Sequence, residues 1–335
     1  MGGDTSNGRT PASVQRNRVC ASWCCALLLL ASSLSGCDGS AQDAKEQRPQ
    51  RARDASPAKD AAVAASRPAC APRKAEGEPG VRFHHVHFNT TDPLADLRFF
   101  ETFFGAESVE LCRDEDDTTS ATLATRTERG YFLYTKVDEA PDPTLNTYLE
   151  HVGWIHPDPN SELQRLVMQG APRFPVGRGQ CDTAFSGTMA CNNYWFYLMA
   201  PSGAKIEVAR GPGPAARGFG HVHMVMGTDF EFFAQATGGA LRNKAIGLVN
   251  HTDVAIEESN LDGEMVVETR GKPIDHLGYS TTDLDAERQR ILDAGLEIAE
   301  ETSFKPEYGF RSFFMKSPQG IWIEMVEDSP FDAAP

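Results

Sequence analysis

Between residues 81 and 330 the apolar and polar positions follow one order four times. A short apolar run opens at a histidine and closes at an aspartate: His85-Val-His-Phe-Asn-Thr-Thr-Asp92, His151-Val-Gly-Trp-Ile-His-Pro-Asp158, His221-Val-His-Met-Val-Met-Gly-Thr-Asp229 and His276-Leu-Gly-Tyr-Ser-Thr-Thr-Asp283. A helical pattern follows each aspartate, which is placed to accept from the free amides of the first turn. In the first repeat Pro93 suits the first helical position, Leu94, Leu97, Phe100, Phe103 and Phe104 recur at helical spacing, and Gly105 closes the helix. In the last, Leu284, Arg288, Ile291 and Leu292 run to Gly295.

Strand-like segments complete each repeat: 131–137 in the first, 194–199 and 205–209 in the second, 254–257 and 265–269 in the third, and 310–315 with 320–326 in the fourth. Strand, helix and further strands make a βαβββ unit. The openings at 85, 151, 221 and 276 are 66, 70 and 55 residues apart. The second and fourth units share an ending that the first and third lack, which predicts two duplications rather than a solenoid. The expected class is α+β: four βαβββ modules paired in chain order into two domains, 81–212 and 217–330, with curved mixed sheets and helices outside.

The shared ending carries the chemistry. Pro201-Ser-Gly-Ala-Lys-Ile-Glu207 and Pro318-Gln-Gly-Ile-Trp-Ile-Glu324 each set a carboxylate in an apolar strand after a Pro-x-Gly turn. Side chains alternate across a strand, so Ile206 and Val208 face the helices and Glu207 the other side; Ile321, Ile323 and Met325 likewise oppose Trp322 and Glu324. Such a carboxylate is either solvated on an edge strand or a metal ligand, and its recurrence with histidine-opening strands favours the ligand. His85 and His87 share a face, as do His221 and His223, and alternation puts His84 on the opposite one.

The Pro-x-Gly-x-x-Ile-Glu endings, the His-Val openings and Phe99-Phe100 with Phe104-Gly105 resemble the vicinal oxygen chelate superfamily of glyoxalases, bleomycin-resistance proteins and extradiol dioxygenases, over residues 81 to 327. That resemblance implies paired modules around a divalent metal, with ligands from both first strands and from the last strand of the second module. Carried over in chain order, it implies His85, His151 and Glu207 for one domain and His221, His276 and Glu324 for the other. It favours the first histidine of each His-x-His pair and leaves His87 and His223 as substrate-facing acids or bases or as satisfied polar residues. Tyr197, Tyr279 and Trp322 are expected beside the ligands, with an aromatic groove lining from Tyr279 and Trp322. Many members add a fourth ligand from the first module's last strand. Near Tyr134 and Lys136 no carboxylate stands, while Glu257 and Glu268 in the third module read as surface residues.

Two imidazoles and a carboxylate leave positions open for water or substrate. The implied cofactor is a divalent ion: iron, zinc, manganese or nickel. The implied function is metal-dependent lyase, isomerase or dioxygenase chemistry on a small substrate chelated through adjacent oxygens. The alternative is a non-catalytic protein that sequesters a small molecule in the same groove. Ring cleavage of catechols is disfavoured, because the extradiol pattern also places a histidine before its Tyr-x-x-x-Pro-x-Gly turn. Tyr197 is present here, but residues 188–193 contain no histidine, nor does the stretch before Phe314.

Charge and termini add the location. A net charge of -15 argues against nucleic-acid binding. Arg9, Arg16 and Arg18 precede an apolar segment from Ala21 to Leu30, and Leu34-Ser-Gly-Cys37 follows. This order resembles a bacterial lipoprotein signal, residues 1–36, with Cys37 as the lipidated first residue and residues 37–80, rich in Ala, Arg, Lys, Gln and Pro, as a disordered tether. The expected location is the bacterial cell envelope, on a lipid anchor facing periplasm or exterior. Export makes a disulfide between Cys181 and Cys191 plausible, within a glycine-rich stretch. The chain carries no signal of oligomeric state. Replacing Cys37 with Ser is expected to abolish lipid labelling, and labelling that persists would rule out the anchor.

Overall fold

The computed structural model describes residues 80–109, 122–143, 147–173, 194–211, 213–225, 229–243, 248–251, 254–258, 266–305 and 310–328. The expected signal segment and tether, with Cys37, and the two cysteines of the expected disulfide, Cys181 and Cys191, lie outside the described residues. All described residues belong to one compact unit. No helix among them is long and apolar enough to cross a membrane.

The four repeats fold as follows. The first is β1 (Arg82–Thr90), α1 (Pro93–Phe104), β2 (Glu107–Val109), β3 (Leu123–Thr127) and β4 (Gly130–Lys136). The second is β5 (Leu149–His156), α2 (Pro159–Met168), β6 (Trp195–Met199) and β7 (Lys205–Arg210). The third is β8 (Gly218–Met224), α3 (Phe230–Thr237), β9 (Ala240–Asn243), β10 (Leu248–His251) and β11 (Val254–Glu258). The fourth is β12 (Ile274–Thr281), α4 (Leu284–Asp293), β13 (Ile298–Lys305), β14 (Phe310–Lys316) and β15 (Trp322–Glu327). The 265–269 stretch, expected as a strand, contributes among its described residues a single bridge, Val267 to Thr147. Among the described residues, β11 is the last strand of the third module.

Three of the four aspartates cap as expected: Asp92 accepts from the Ala95 amide, Asp158 from Asn160 and Ser161, and Asp283 from Ala286. Gly105 closes α1 in the left-handed region at φ 68°. Asp229 makes no side-chain cap bond. Its Oδ2 accepts from the Gln319 amide at 3.2 Å, in the Pro-Gln-Gly turn of the fourth module. The buried Asp96 of α1 does the same for the second module, accepting from the Ser202 amide at 3.0 Å. Each odd module's helix thus holds the turn of the module that follows it.

The sheets pair the modules differently from chain order. One eight-stranded sheet runs β13-β14-β15-β12-β1-β4-β3-β2, and a seven-stranded sheet runs β6-β7-β5-β8-β11-β10-β9. The first joins module one to module four through the antiparallel seam β1–β12, and the second joins module two to module three through β5–β8. On either side of each seam the outer neighbours β4, β15, β7 and β11 run parallel to the first strands. The expected domains 81–212 and 217–330 are therefore corrected, because both sheets draw strands from either side of residue 212. Both chain-order pairing and the observed pairing join an odd module to an even one, so strand patterning cannot select between them.

One apolar core lies between the sheets and their helices. It takes alternate residues of the central strands, among them Val86, Phe132, Val152, Ile206, Val222, Leu277 and Ile323. Phe83 and Phe219, equivalent positions of β1 and β8, meet at its centre with ring centroids 5.7 Å apart. Arg129 also donates to the Phe219 carbonyl, tying a turn of one sheet to a strand of the other.

Because each sheet needs strands from both halves, residues 81–212 or 217–330 expressed alone are expected to lack cooperative unfolding, and co-expression is expected to restore it. A cooperative transition in either isolated half, followed by denaturant titration, would contradict this.

Candidate functional site

Each seam places two first strands antiparallel, which brings their opening histidines to one face. In the first sheet His85 on β1 and His276 on β12 approach with Nε2 atoms 3.3 Å apart. Glu324 on β15, opposite Gly278 in parallel register, brings its Oε2 3.3 Å from His85 Nε2 and 3.4 Å from His276 Nε2. In the second sheet Glu207 on β7 lies 2.8 Å from His221 Nε2 and 3.5 Å from His151 Nε2. The chain-order ligand sets are thus corrected. His85 joins His276 and Glu324, and His221 joins His151 and Glu207.

Glycines make these approaches possible. A Cβ added at Gly278 would overlap the His85 ring, and one at Gly153 would overlap that of His221. The even modules read His-x-Gly where the odd ones read His-x-His, so each seam sets an imidazole over a bare backbone position.

Acidic neighbours orient the histidines. Asp275 Oδ1 accepts from His276 Nδ1 at 2.6 Å and is itself held by Asn89, Arg270 and the Gly271 amide. Glu150 stands 3.4 Å from His151 Nδ1 and pairs with Lys205. The acid directly before the histidine in Glu150-His151 and Asp275-His276 is a sequence signal that the expected ligand sets passed over. A bulge in β1 between Phe83 and His85 also corrects the place of His84. Its Nδ1 lies 2.8 Å from His85 Nδ1 and its Nε2 lies 3.3 Å from Asp328 Oδ2. Gly220 and Gly211 hold the corresponding positions in the second sheet, so this chain exists at the first centre alone.

Burial would raise both glutamates, but bonds and charge from their histidines outweigh it and hold Glu324 and Glu207 well below the usual carboxylate range. His85, wholly buried, is lowered to about 4, and burial also holds His87 well below the ordinary value. Burial opposes the charged form of His276 and His151 too, yet their carboxylate partners leave both raised.

The donors fit a divalent ion. Three atoms 3.3–3.4 Å apart match ligands that share an ion at about 2.0–2.2 Å from each. Clusters of four (His151, Glu207, His221, His223) and three (His85, His87, His276) each hold their donor atoms within 4.8 Å of one another. At the register of Glu324, module one carries Leu133, opposite His87, and module three carries Glu257, opposite His223. Glu268 is exposed and pairs with Lys316.

Tyr197 lies against His151 with centroids 5.3 Å apart, under the Lys205 ammonium. Phe314 takes the corresponding place beside His276, at 5.0 Å. Trp322, half-buried, packs under Arg270. Tyr279 does not line the groove. It falls on the core face of β12 and packs against Phe83 and Phe233, since it is three residues from His276 and alternation reverses its side.

Solved structures carry the same arrangement of elements. Glyoxalase I from Zea mays matches with a TM-score of 0.55 at 14% identity, covering 74% of this chain and 92% of that one. A candidate dioxygenase from Bacillus subtilis matches with a TM-score of 0.52 at 11% identity, covering 76% and 87%. The chain shares its fold with these glyoxalase and dioxygenase structures. No family model and no curated protein matches the sequence.

The buried histidines set a pH dependence for the metal-free protein. His85 and His87 have folded values below the unfolded value of about 6.5, so the unfolded chain binds more protons as pH falls beneath it and stability declines towards pH 4. His276 and His151, raised, contribute fully below about 6.5 and lose that contribution as pH rises through their folded values. Denaturant midpoints in chelator are expected to fall from pH 6.5 to 4.5, less steeply for His85→Gln. A wild-type midpoint constant over that window would contradict the assignment.

Proposed function

We propose that the protein is a divalent-metal-dependent enzyme acting on a small molecule that presents two adjacent oxygens. The observation that carries this reading is the triangle of His85 Nε2, His276 Nε2 and Glu324 Oε2, with sides of 3.3–3.4 Å, set on a sheet face away from the core. The second triad, His151, His221 and Glu207, repeats it.

A bound divalent ion would supply Lewis-acid polarisation of neighbouring substrate oxygens, the chemistry common to lyase, isomerase and dioxygenase reactions on such substrates. The chain's own residues prepare the site. Asp275 accepts from His276 Nδ1 and leaves its Nε2 to the donor cluster, the orientation that ligating histidines take from their outer partners, and the Glu150 carboxylate, 3.4 Å from His151 Nδ1, would draw His151 the same way. His84, backed by Asp328, provides His85 Nδ1 with the corresponding partner. Leu133, Ala124, Phe310 and Val326 form a small apolar cluster apart from the main core, beside the His84 ring, and exclude water from one wall of the first centre. Tyr197 and Phe314 give the two grooves different walls, one with a hydroxyl and one without, which supports different substrates or different roles for the two centres.

The N-terminal pattern supports placing this enzyme at the cell envelope through Cys37. A substrate met there differs from the metabolites of the cytosol.

The purified body is expected to bind up to two divalent ions per chain. Glu324→Ala is expected to remove the ion of the first centre and Glu207→Ala that of the second, with the fold kept, measured by elemental analysis after loading with iron, manganese or zinc. Wild-type protein that stays metal-free would overturn the catalytic reading and leave a small-molecule binder. Loss of the wrong centre's ion would overturn the ligand sets.

A further inference from the structure

We propose that His87 is a fourth protein ligand of the first centre, making it a site of three histidines and one glutamate. The inference rests on the metal-dependent reading above and extends its donor set.

The position that would supply a fourth carboxylate, opposite His87 in the register of β4, is Leu133, which is buried and has no donor atom. His87 follows His85 by two residues on the same face of β1, so both rings project into one groove. The His87 ring stacks on that of His276 with centroids 4.4 Å apart, and the donor atoms of His85, His87 and His276 lie within 4.8 Å of one another.

The hydrogen bonding of His87 points the same way. Its Nε2 lies 2.8 Å from Thr135 Oγ1, which lies 2.9 Å from Thr122 Oγ1. Its Nδ1 is buried with no hydrogen-bond partner. A buried ring nitrogen without a partner costs about 1–3 kcal/mol of desolvation, a cost that a ligand atom does not bear once its ion is bound. If Nε2–H donates to Thr135, the unpartnered Nδ1 is the nitrogen left to take an ion, and ligating histidines characteristically donate their other N–H to such an acceptor. The second centre repeats the placement. His223, two residues after His221, stacks on His151 with centroids 4.3 Å apart and joins the same donor cluster as Glu207.

A substrate-facing acid or base would have to swing away from the ion, whereas a ligand adds a nitrogen to it. The two are separable without an activity assay. In a chain whose second centre is removed by H151A/E207A, copper(II) bound to the first centre is expected to show three coordinated nitrogens by electron paramagnetic resonance, and two after His87→Ala. The same change is expected to weaken zinc affinity in chelator competition by more than about 100-fold, beyond the 10–100-fold typical of an outer partner, while Thr135→Val stays within that range. Should these variants fail to fold, zinc titration of the wild type followed by nitrogen NMR of labelled histidines keeps the question answerable. The His87 Nδ1 resonance is expected to move with those of His85 and His276. An unmoved His87 resonance, or two nitrogens in the chain that retains His87, would overturn the proposal while leaving the three-donor centre standing. Wild-type protein that binds no zinc or copper at all would overturn both.

Discussion

The close antiparallel approach of two first strands is the constraint on which the rest of the structure depends. At β1–β12 and β5–β8 a histidine ring stands over a glycine of the facing strand, and only the absent Cβ of Gly278 or Gly153 leaves room for it. This juxtaposition puts two imidazoles from distant parts of the chain within reach of one carboxylate. It also sets the seam from which each sheet extends outward in parallel pairs. A side chain at either glycine would force the ring aside and open the seam, so the site and the sheet share one steric condition.

Charge balance follows from that geometry. A buried carboxylate is strongly unfavourable unless paired, and Glu324 and Glu207 each find two imidazoles. The imidazoles are in turn oriented by Asp275, Glu150 and His84, which are held by Arg270, Lys205 and Asp328. The polar cluster is therefore built in layers, from donors through orienting acids to the half-exposed Arg270 at one centre and the buried Lys205 at the other. The layering lets an anionic ligand atom persist although Glu324 and Glu207 are buried.

The two centres descend from one pattern but are no longer equivalent. The first has His84 and Asp328 behind His85, Leu133 opposite His87 and Phe314 beside His276. The second has Gly220 and Gly211 at the places of the first pair, Glu257 at the register of Leu133 and Tyr197 at the place of Phe314. Ile155 takes up the space next to those glycines. Polar relay and apolar wall belong to one centre, hydroxyl and glycine backing to the other.

The repeats, the aspartate caps, the Pro-x-Gly turns and the alternation that frees Glu207 and Glu324 from the core were all legible in the sequence, because each depends on residues a few positions apart. Tyr279 could have been placed by the same alternation, being an odd number of residues from His276. Three features were not legible, and each has a physical reason. The pairing of outer with outer and inner with inner modules depends on which of four similar edges meet, and edge hydrogen bonding by the backbone carries almost no side-chain signature. The membership of each donor triad follows from that pairing. The bulge that turns His84 towards His85 breaks strand alternation locally, and it exists because the facing strand supplies one residue fewer at Tyr279–Gly278. The sequence alone determined which residue types stand on which face of each strand. Only the tertiary structure decided which faces share a groove, because that choice is made by contacts between segments nearly two hundred residues apart, His85 with His276 first among them.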